Sequence, residues 1–492
     1  MGSLVYWLLC IIYLTAIFLL ICYGVHRFYH AFKVPAVPPP SPPLCTPSQH
    51  ITIQLPLYNE QHVVESLLHC ICAMDWPSHL LEIQVLDDST DKTSSIAQHW
   101  VKHYAQQGLD IHYLHRRNRI GYKAGALQEG LQQAKGEFIA IFDADFRPAP
   151  SFLKFLMTSF KSQQIGLVQA RWGHSNRNEN LLTQSSAILL DGHFIIEHAV
   201  RHHLDCFFNF NGTAGIWRKQ CILDAGGWQH DTITEDLDLS YRAQLLGWQF
   251  IYRADITAFA ELPNNITDFR LQQYRWTKGS IQTARKLLLK ILRSSISFSR
   301  KRETFFHLTV NLGYPLCILL IILSPIMILG QPKHIISEMV ALSTSIFLWG
   351  TLLSTVFFYA TAQKLSAHRQ SLRLILAAIA LGIGISFSQT LAVVSGLISR
   401  DSTFIRTPKK GSQKTHQYSR RKKFQIHSEF VLSLYSFAIL YMLYQKELFS
   451  SMPFFILFLF IFLWTSYLNV SHTLIEKNAR RTSATQQENI KI

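Results

Sequence analysis

Acidic residues are scarce in this sequence, where 31 Asp and Glu stand against 47 Lys and Arg and leave a formal net charge of +16. Such a balance can indicate nucleic-acid binding, but here the basic residues gather beside apolar segments, as at residues 420–423. The positive-inside rule of membrane proteins explains that placement. With 48% hydrophobic residues the chain is also too apolar to be disordered. We therefore expect an integral membrane protein with no nucleic-acid partner.

Metal-binding and disulfide patterns are also missing. The eight cysteines are scattered, and Cys70 and Cys72 form a C-x-C without a second pair at zinc spacing, which favours free thiols. Histidines are plentiful, and His198, His202 and His203 could share one helix at a spacing that permits metal ligation. Because no H-E-x-x-H motif accompanies them, core or surface histidines are the favoured interpretation.

The N-terminus lacks the features of a cleavable signal peptide, since no basic residue precedes its apolar run and no small-residue cleavage site follows it. Residues 4–23 are apolar over the length of a bilayer, and His26, Arg27 and Lys33 come directly after them. We predict a transmembrane helix within residues 1–25, acting as a signal anchor. Residues 26–47 contain the run PAVPPPSPP and are predicted to be a stiff proline-rich linker.

Residues 48–277 alternate short β-rich runs with helical ones, which indicates a nucleotide-binding α/β domain. Strands are expected near residues 51–55, 82–86 and 138–142, and helices near residues 61–74 and 93–107. The carboxyl ends of such strands form the ligand-binding edge of an open sheet. The acidic pairs after the second and third strands should therefore face one crevice.

The remaining chain is mostly apolar. Residues 278–304 should form interfacial amphipathic helices, residues 305–470 a transmembrane region with a cytoplasmic loop at 399–425, and residues 471–492 a cytoplasmic tail. Apolar segments lie near residues 305–329, 336–360, 374–398, 429–444 and 453–470. Placing all basic loops and the α/β domain in the cytoplasm requires residues 374–398 to start and finish on one side. We predict that this segment does not cross fully and bends at Gly382 and Gly384.

Two acidic pairs stand at predicted strand ends. Asp87 and Asp88 can bind the base and ribose of a nucleotide, although acidic residues before a helix are often only N-caps, as Asp91 can be here. Asp143 and Asp145 leave a buried strand, where two unpaired charges would be costly. A hard divalent cation, Mg²⁺ or Mn²⁺, together with a nucleotide diphosphate explains them better than a solvated turn does.

Two further motifs follow in order. In Thr234-Glu235-Asp236, Thr234 is the expected N-cap of a helix at residues 237–246, and capping alone would explain the acids. Their place after a D-x-D motif favours Asp236 as a general base, with Glu235 beside it. Gln272, Arg275 and Trp276 can neutralise a leaving diphosphate and stack on a sugar, although a Trp/Arg pair is also common at membrane boundaries.

These four motifs resemble the D, D, (T/V)ED, QxxRW series of membrane-integrated family 2 glycosyltransferases, which include the cellulose and hyaluronan synthases. The sequences around these motifs are most similar to the cellulose-synthase-like A and C proteins. Those proteins make the mannan or glucomannan backbone and the glucan backbone of xyloglucan. The segments that carry this resemblance are QVLDDSTD, GYKAGA, IFDADF, VQARW, FNGTAG, ELP and QQYRW. The resemblance implies a GT-A-type nucleotide-sugar-binding domain inserted between transmembrane helices of a multi-pass protein.

Site roles follow from the same resemblance. It implies that Asp236 is the catalytic base and that donor binding falls to Asp87, Asp88, Lys123, Asp143, Asp145, Gln272 and Arg275, with metal at the D-x-D pair. It assigns acceptor binding to Asn211, Gly212, Thr213 and Trp276, and a gating loop to Phe404, Thr407 and Lys409. Ser89 stands where the cellulose synthases have glycine, and Asn211 where they have cysteine, which leaves the acceptor open.

The implied reaction is direct, inverting displacement that builds a β-linked polymer such as β-1,4-mannan, glucomannan or glucan and exports it. GDP-mannose, GDP-glucose and UDP-glucose remain alternative donors. The implied location is the plasma membrane in a bacterium or the Golgi membrane in a plant, and partner proteins are not excluded. One alternative is a non-processive enzyme that adds a single sugar to a lipid. Another is a transporter or scaffold with an inactive transferase domain, against which the complete set of motifs argues.

Overall fold

The computed structural model describes residues 3–36, 47–329, 334–366, 368, 370–399, 416–449 and 452–489 of the 492-residue chain. Within residues 334–349, 416–427 and 473–489 it describes the backbone only. The predicted proline-rich run and the predicted gating residues Phe404, Thr407 and Lys409 lie outside the described residues.

One mixed sheet of seven strands organises the middle of the chain, in the order β3-β2-β1-β4-β6-β5-β7. Strands β1 to β4 are all parallel where they pair, β6 is antiparallel to both of its neighbours, and β5 is parallel to β7. The strands are β1 (Ile51–Leu57), β2 (Leu81–Asp87), β3 (Asp110–His115), β4 (Phe138–Ile141), β5 (Ile165–His174), β6 (Gly215–Arg218) and β7 (Gln249–Ala260). The carboxyl ends of β1, β2 and β4 therefore meet at one edge, as predicted.

Helices cover both faces of this sheet. They pack there because an apolar stripe along a helix is buried against the apolar side chains of the strands. In α2 the buried side chains Val64, Leu67, Leu68 and Ile71 recur at the spacing of one helix face. A π-helical stretch, Gly192–His198, joins α6 to α7. The helices of this part are α2 (Val64–Cys72), α3 (Thr93–Gln106), α4 (Tyr122–Gln133), α5 (Phe152–Met157), α6 (Leu181–Asp191), α7 (Ala199–His203), α8 (Lys219–Asp224), α9 (Glu235–Leu245) and α10 (Ile266–Thr283).

Strand β1 shows how the two faces of the sheet differ. Ile51, Ile53 and Leu55 are fully buried in one apolar core. The intervening polar side chains are buried on the other face, where Thr52 donates to the Glu82 carboxylate at 2.6 Å and Gln54 donates to the Gln84 carbonyl at 3.0 Å. These cross-strand bonds satisfy polar groups that would otherwise be costly to bury.

The remaining helices lie at both ends of the described chain, and most of them are apolar. They are α1 (Ser3–Lys33), α11 (Leu289–Arg293), α12 (Phe298–Thr309), α13 (Gly313–Leu329), α14 (His334–Leu365), α15 (Leu372–Gly384), α16 (Ser386–Ile398), α17 (His416–Gln445) and α18 (Met452–Asn489). In the described residues, Leu4–Lys33, Phe298–Met327 and Met452–His472 are long and apolar enough to cross a membrane. The pair α15 and α16 would be a fourth span, but it is bent by 47°. The bend falls at Ile385, one residue after the glycine where a bend was predicted.

The predicted amphipathic helix belongs to a longer element than its pattern suggested. It begins with α10 at Ile266, continues through a π-helical turn at Ala284–Leu288 and ends with α11. Its residues Leu287 and Ile291 are buried against Tyr241 of α9. This apolar face therefore packs on the α/β domain, and the helix holds residues 272–276 rigidly against the ligand-binding edge of the sheet.

Candidate active site

A cleft of about 230 Å³ opens at the carboxyl edge of the sheet. Residues from six separate segments of the chain line it: Asp88, Lys123, Asp143, Asp145, Asn211, Gly212, Glu235, Asp236, Gln272, Arg275 and Trp276. The prediction that the acidic motifs share one crevice thus agrees with the structure. The roles of the individual residues are taken up below.

The D-x-D pair follows β4 directly. Asp143 accepts a bond from Lys123 Nζ at 2.6 Å, and the same ammonium donates to the Gly212 carbonyl at 2.9 Å. Burial alone would lower the pKa of Lys123, but the carboxylates of Asp143, Glu235 and Asp236 outweigh it and raise that pKa. Lys123 therefore stays charged and forms a cationic centre among three carboxylates.

Asp236 lies in the first turn of α9, where its Oδ1 accepts from the Leu237 backbone N–H at 2.8 Å. Burial, reinforced by the negative charge of Glu235 and opposed by Lys123, raises the pKa of Asp236 to about 7. Burial raises the pKa of the neighbouring Glu235 as well. A carboxylate with a pKa near neutrality is suited to accept a proton at physiological pH.

Gly212 lets the chain approach this carboxylate. Its φ of +80° lies in the left-handed region that favours glycine, and a Cβ placed there would be 3.0 Å from Asp236 Oδ2 and 3.4 Å from Lys123 Nζ. The backbone at residue 212 thus bridges the D-x-D side of the cleft and the α9 side. Thr234, the predicted N-cap of α9, holds the N-cap position without a side-chain cap bond. Its hydroxyl lies 3.5 Å from the hydroxyl of Thr283 instead.

The first acidic pair divides into one cleft residue and one buried residue. Asp88 lines the cleft and forms a two-bond ion pair with Arg116, one of whose bonds, Nε to Oδ1, measures 2.7 Å. Asp87 is fully buried and accepts from the hydroxyls of Ser94 and Tyr113, each at 2.6 Å. The nucleotide contact of Asp87 stays a prediction, and in this structure its oxygens accept hydrogen bonds inside the domain.

The acceptor motif divides in the same way. Asn211 and Gly212 line the cleft, whereas Thr213 is fully buried beneath it. The Thr213 hydroxyl accepts from the Asp143 backbone N–H at 3.0 Å. The acceptor contact of Thr213 stays a prediction, and in this structure its hydroxyl supports the D-x-D turn.

Two lining residues, Tyr58 and Trp172, were given no role in the sequence analysis, although Trp172 belongs to the VQARW segment. Tyr58 follows β1 at the same edge of the sheet, and the Arg119 guanidinium lies 3.3 Å from the centre of its ring. Trp172 lies at the end of β5, with its ring centre 6.4 Å from that of Trp276. Their strand-end positions were the available clue, but single aromatic residues at strand ends are common in cores.

A second cavity of about 500 Å³ extends from the cleft among the apolar helices. Its lining includes Tyr23 and Arg27 of α1, Asn311, and Thr355 of α14. Seven residues line both cavities: Trp172, Leu190, Asn211, Thr234, Asp236, Gln272 and Trp276. Asp236 and Trp276 therefore stand where the α/β cleft passes into the helical region.

The other histidine and cysteine features have structural explanations. His198 is fully buried and packs against Phe194, Phe208 and Tyr252. Burial lowers the pKa of His198 well below its ordinary value, so the ring is neutral. His198, His202 and His203 do not form one of the metal-type clusters in the described chain. Seven of the eight cysteines are described, and all seven are free thiols, as expected.

The D-x-D carboxylates fit a divalent cation by their chemistry. They are hard oxygen donors in a cleft, with Asp143 about one-third exposed and Asp145 buried. Groups of three potential ligands in the described chain lie elsewhere, at His26, His30 and Glu303 and at Glu82, Asp110 and His112. Two carboxylates make an incomplete shell, so a cation at the D-x-D pair needs oxygens from a bound ligand.

Two sequence-family models match overlapping parts of this chain. The model described as Glycosyl transferase family 2 matches residues 52–221, and the one described as Glycosyl transferase family group 2 matches residues 138–362. Residues 52–362 thus match glycosyltransferase family 2 models, each of which spans less than half of the chain. The predicted family is thus confirmed, and the matched regions include the D-x-D pair, Asp236 and residues 272–276.

Curated relatives are similar over the same region. The chain is 44% identical over 252 residues to glucomannan 4-beta-mannosyltransferase 2 of Arabidopsis thaliana, covering 50% of this chain and 47% of the relative. It is 41% identical over 272 residues to glucomannan 4-beta-mannosyltransferase 1 of Oryza sativa subsp. japonica, covering 54% and 52%. The chain spans about half the length of the curated relatives it matches.

A solved structure confirms the fold. The mannosyltransferase PcManGT of Pyrobaculum calidifontis, solved in complex with GDP-Man and Mn²⁺, superposes with a TM-score of 0.53 at 17% sequence identity. The match covers 79% of this chain and 99% of that one. The α/β domain of this chain therefore has the GT-A fold, as predicted.

Proposed function

We propose that this protein is a processive, inverting β-hexosyltransferase that polymerises a nucleotide-activated sugar, with mannose from GDP-mannose as the first candidate. The observation that carries the proposal is the position of Asp236, at the junction of the nucleotide-type cleft and the cavity among the apolar helices. The names of the relatives, glucomannan 4-beta-mannosyltransferases, support mannose and a β-1,4 linkage.

In this proposal the donor occupies the cleft from Asp88 to Asp145. Asp88, fixed by Arg116, would contact the base or ribose, and Lys123 and Arg275 would face the diphosphate. Asp143 and Asp145 would hold a divalent cation, Mg²⁺ or Mn²⁺, which supplies positive charge next to the leaving diphosphate when it is bound. Lys123, which already bridges Asp143 and the Gly212 carbonyl, adds a fixed charge on the same side.

Asp236 would take the proton from the acceptor hydroxyl as that oxygen attacks the anomeric carbon from the face opposite the diphosphate. The bond from the sugar to the nucleotide diphosphate breaks as the new glycosidic bond forms, so an α-linked donor yields a β-linked product. Glu235, buried beside Asp236, would raise the basicity of Asp236 without touching the acceptor. Trp276 and Asn211 would hold the acceptor sugar, since both line the junction.

Polymer export is supported by the continuity of the two cavities. A growing hydrophilic chain cannot cross lipid unaided, and the second cavity begins at the residue where each new bond would form. Four candidate spans surround it in the described chain, counting the bent pair of α15 and α16 as one. We place residues 48–277 in the cytoplasm, where nucleotide sugars are available, and the protein in the Golgi membrane if it comes from a plant.

The test is a panel of donors offered to membranes from cells that express the protein. GDP-mannose, GDP-glucose and UDP-glucose, each with Mn²⁺ or Mg²⁺, should give a polymer from at least one donor, and digestion with mannanase or glucanase then identifies it. Membranes that carry the Asp143→Asn, Asp145→Asn double variant should make none. Formation of a mono-glycosylated lipid alone would replace the proposal with the single-sugar alternative.

A further inference from the structure

The side chain of Asn211 is held by three polar neighbours at the junction of the two cavities. Its Oδ1 accepts a bond from Asn209 Nδ2 at 3.2 Å and lies 3.1 Å from His193 Nε2. Its Nδ2 lies 3.4 Å from His198 Nε2. Three contacts on one short amide leave it little freedom to rotate.

The orientation of this amide follows from its neighbours. Asn209 Nδ2 also donates to the Phe210 carbonyl at 2.9 Å, so the nitrogen end of Asn209 must face Asn211. Turning the Asn211 amide over would bring two NH₂ groups together, which is repulsive. Oδ1 of Asn211 therefore faces His193, and His193 Nε2 must donate to it.

The other ring nitrogen of His193 also lies near an oxygen atom. His193 Nδ1 lies 3.2 Å from Glu197 Oε2, one turn along the π-helical stretch. Burial alone would raise the pKa of the Glu197 carboxyl, but the bond from His193 and the charge of Arg201 hold it well below its ordinary value. Glu197 is thus an ionised acceptor. Both ring nitrogens of His193 therefore lie against oxygen atoms, and these two contacts orient the ring.

The position of His193 connects it to the acceptor path rather than to the donor. His193 and Glu197 line only the second cavity, whereas Asn211 lines both and precedes the glycine that touches Asp236. The stretch that carries His193 is seated directly on α14, because a Cβ on Gly192 would lie 2.7 Å from the rings of Phe358 and Tyr359. This close contact with α14 therefore fixes the position of His193 in the second cavity.

We propose that His193 is a positioning residue for the acceptor, which acts by locking the Asn211 carboxamide between the two cavities. His193 and Asn209 occupy both lone pairs of Asn211 Oδ1, and one N–H of Asn211 Nδ2 faces the neutral ring of His198. The second N–H of the Asn211 amide then remains for the acceptor. It donates to a hydroxyl or ring oxygen of the terminal sugar, whose polymer extends into the second cavity. The inference rests on the proposed transfer to a sugar acceptor and adds a residue that the sequence motifs did not single out.

The test separates acceptor binding from donor chemistry in purified full-length protein. The variants are His193→Ala, His193→Gln, Asn211→Ala and the double variant His193→Ala, Asn211→Ala, with His203→Ala, an exposed histidine that lines neither cavity, as the control. Each is assayed for the apparent KM of a β-1,4-linked manno-oligosaccharide primer at saturating GDP-mannose, and for hydrolysis of GDP-mannose without primer.

His193→Ala should raise the primer KM about tenfold, the upper end of what the loss of one hydrogen bond costs. Donor hydrolysis should change less than about twofold, which also shows that the variant is folded. His193→Gln, which can still donate to Asn211 but not to Glu197 as well, should fall between. Because His193 acts through Asn211, the double variant should be no worse than Asn211→Ala alone.

An unchanged primer KM in His193→Ala, fully additive effects in the double variant, or an equal loss of donor hydrolysis would each overturn the inference. Absence of both hydrolysis and transfer in the wild-type protein would instead remove the proposed function, and the inference with it. The two failures are distinguishable because hydrolysis needs the donor site alone.

Discussion

Replacing Asp236 with asparagine is the sharpest perturbation of the proposed chemistry. The change keeps the size of the side chain and its place at the start of α9, but an amide cannot take a proton at any pH. With a pKa raised to about 7 by burial and by Glu235, roughly half of the wild-type sites are ionised at neutral pH. A positioned general base contributes about 10²- to 10⁴-fold. We expect kcat to fall by about that factor, with the donor KM little changed because Lys123 and Asp143 remain.

The assay is the initial rate of sugar transfer at several donor concentrations, compared with Asp231→Asn as a matched control. Asp231 is an exposed aspartate five residues away that pairs with Lys286 and does not line the cleft. Its loss should leave kcat within about twofold of wild type, since exposed ion pairs contribute little. In the wild type, kcat/KM should rise with pH up to about 7 and then level off, because only the ionised carboxylate is active. A fall of less than tenfold in Asp236→Asn would refute the role of this residue as base.

Three further predictions concern stability and geometry. The raised pKa means that folded Asp236 binds its proton more tightly than the unfolded chain does, so wild-type stability is lost as pH rises from about 4 to about 7. The side chain in Asp236→Asn never ionises, so the melting temperature of this variant should exceed that of the wild type by more at pH 8 than at pH 5. An equal difference at both pH values would contradict the burial of Asp236. The buried pair Arg270 and Glu429, 2.9 Å apart, joins α10 to α17, so Glu429→Gln should destabilise the detergent-solubilised protein by about 3–5 kcal/mol. Thermal unfolding measures this, and the double variant Arg270→Met, Glu429→Leu should recover most of the loss; no loss in the single variant would show that the pair is not buried. Gly212→Ala forces a left-handed φ on alanine, at about 1–2 kcal/mol, and pushes a methyl group to 3.0 Å from Asp236 Oδ2, so kcat should fall at least about tenfold. Full activity in that variant would mean that the carboxylate has another position.

The α/β part of the fold could be predicted because its sequence follows local rules. Strands near residues 51–55, 82–86 and 138–142 and helices near 61–74 and 93–107 all agree with the structure to within a few residues. Strand order is a non-local property, and nothing in the local pattern indicated that β6 would insert antiparallel between β4 and β5. The long helix from Ile266 was also missed, because polar residues such as Gln272 and Gln273 on its cleft side hide the helical period.

Part of the candidate site could be predicted because a charged side chain is costly to bury unless it has a partner or a ligand. The D-x-D pair was found on that ground and Asp236 by its place after that pair in the sequence, and the structure places all three in one cleft. The sequence could not show that Asp87, unlike Asp88, is fully buried with Ser94 and Tyr113 donating to its carboxylate. His193 was missed because its contact with Asn211 joins residues 18 positions apart, which no local sequence pattern indicates.

The most direct test of the central claim, that the bond-forming residue opens into a polymer path, uses sealed proteoliposomes with the α/β domain outward. GDP-mannose and Mn²⁺ are supplied outside, and β-mannanase is added afterwards either outside or together with detergent. We predict long β-linked product that resists the external enzyme and is digested once detergent opens the vesicles. Product that is digested equally without detergent, or label found only on a lipid as a single sugar, would contradict the account.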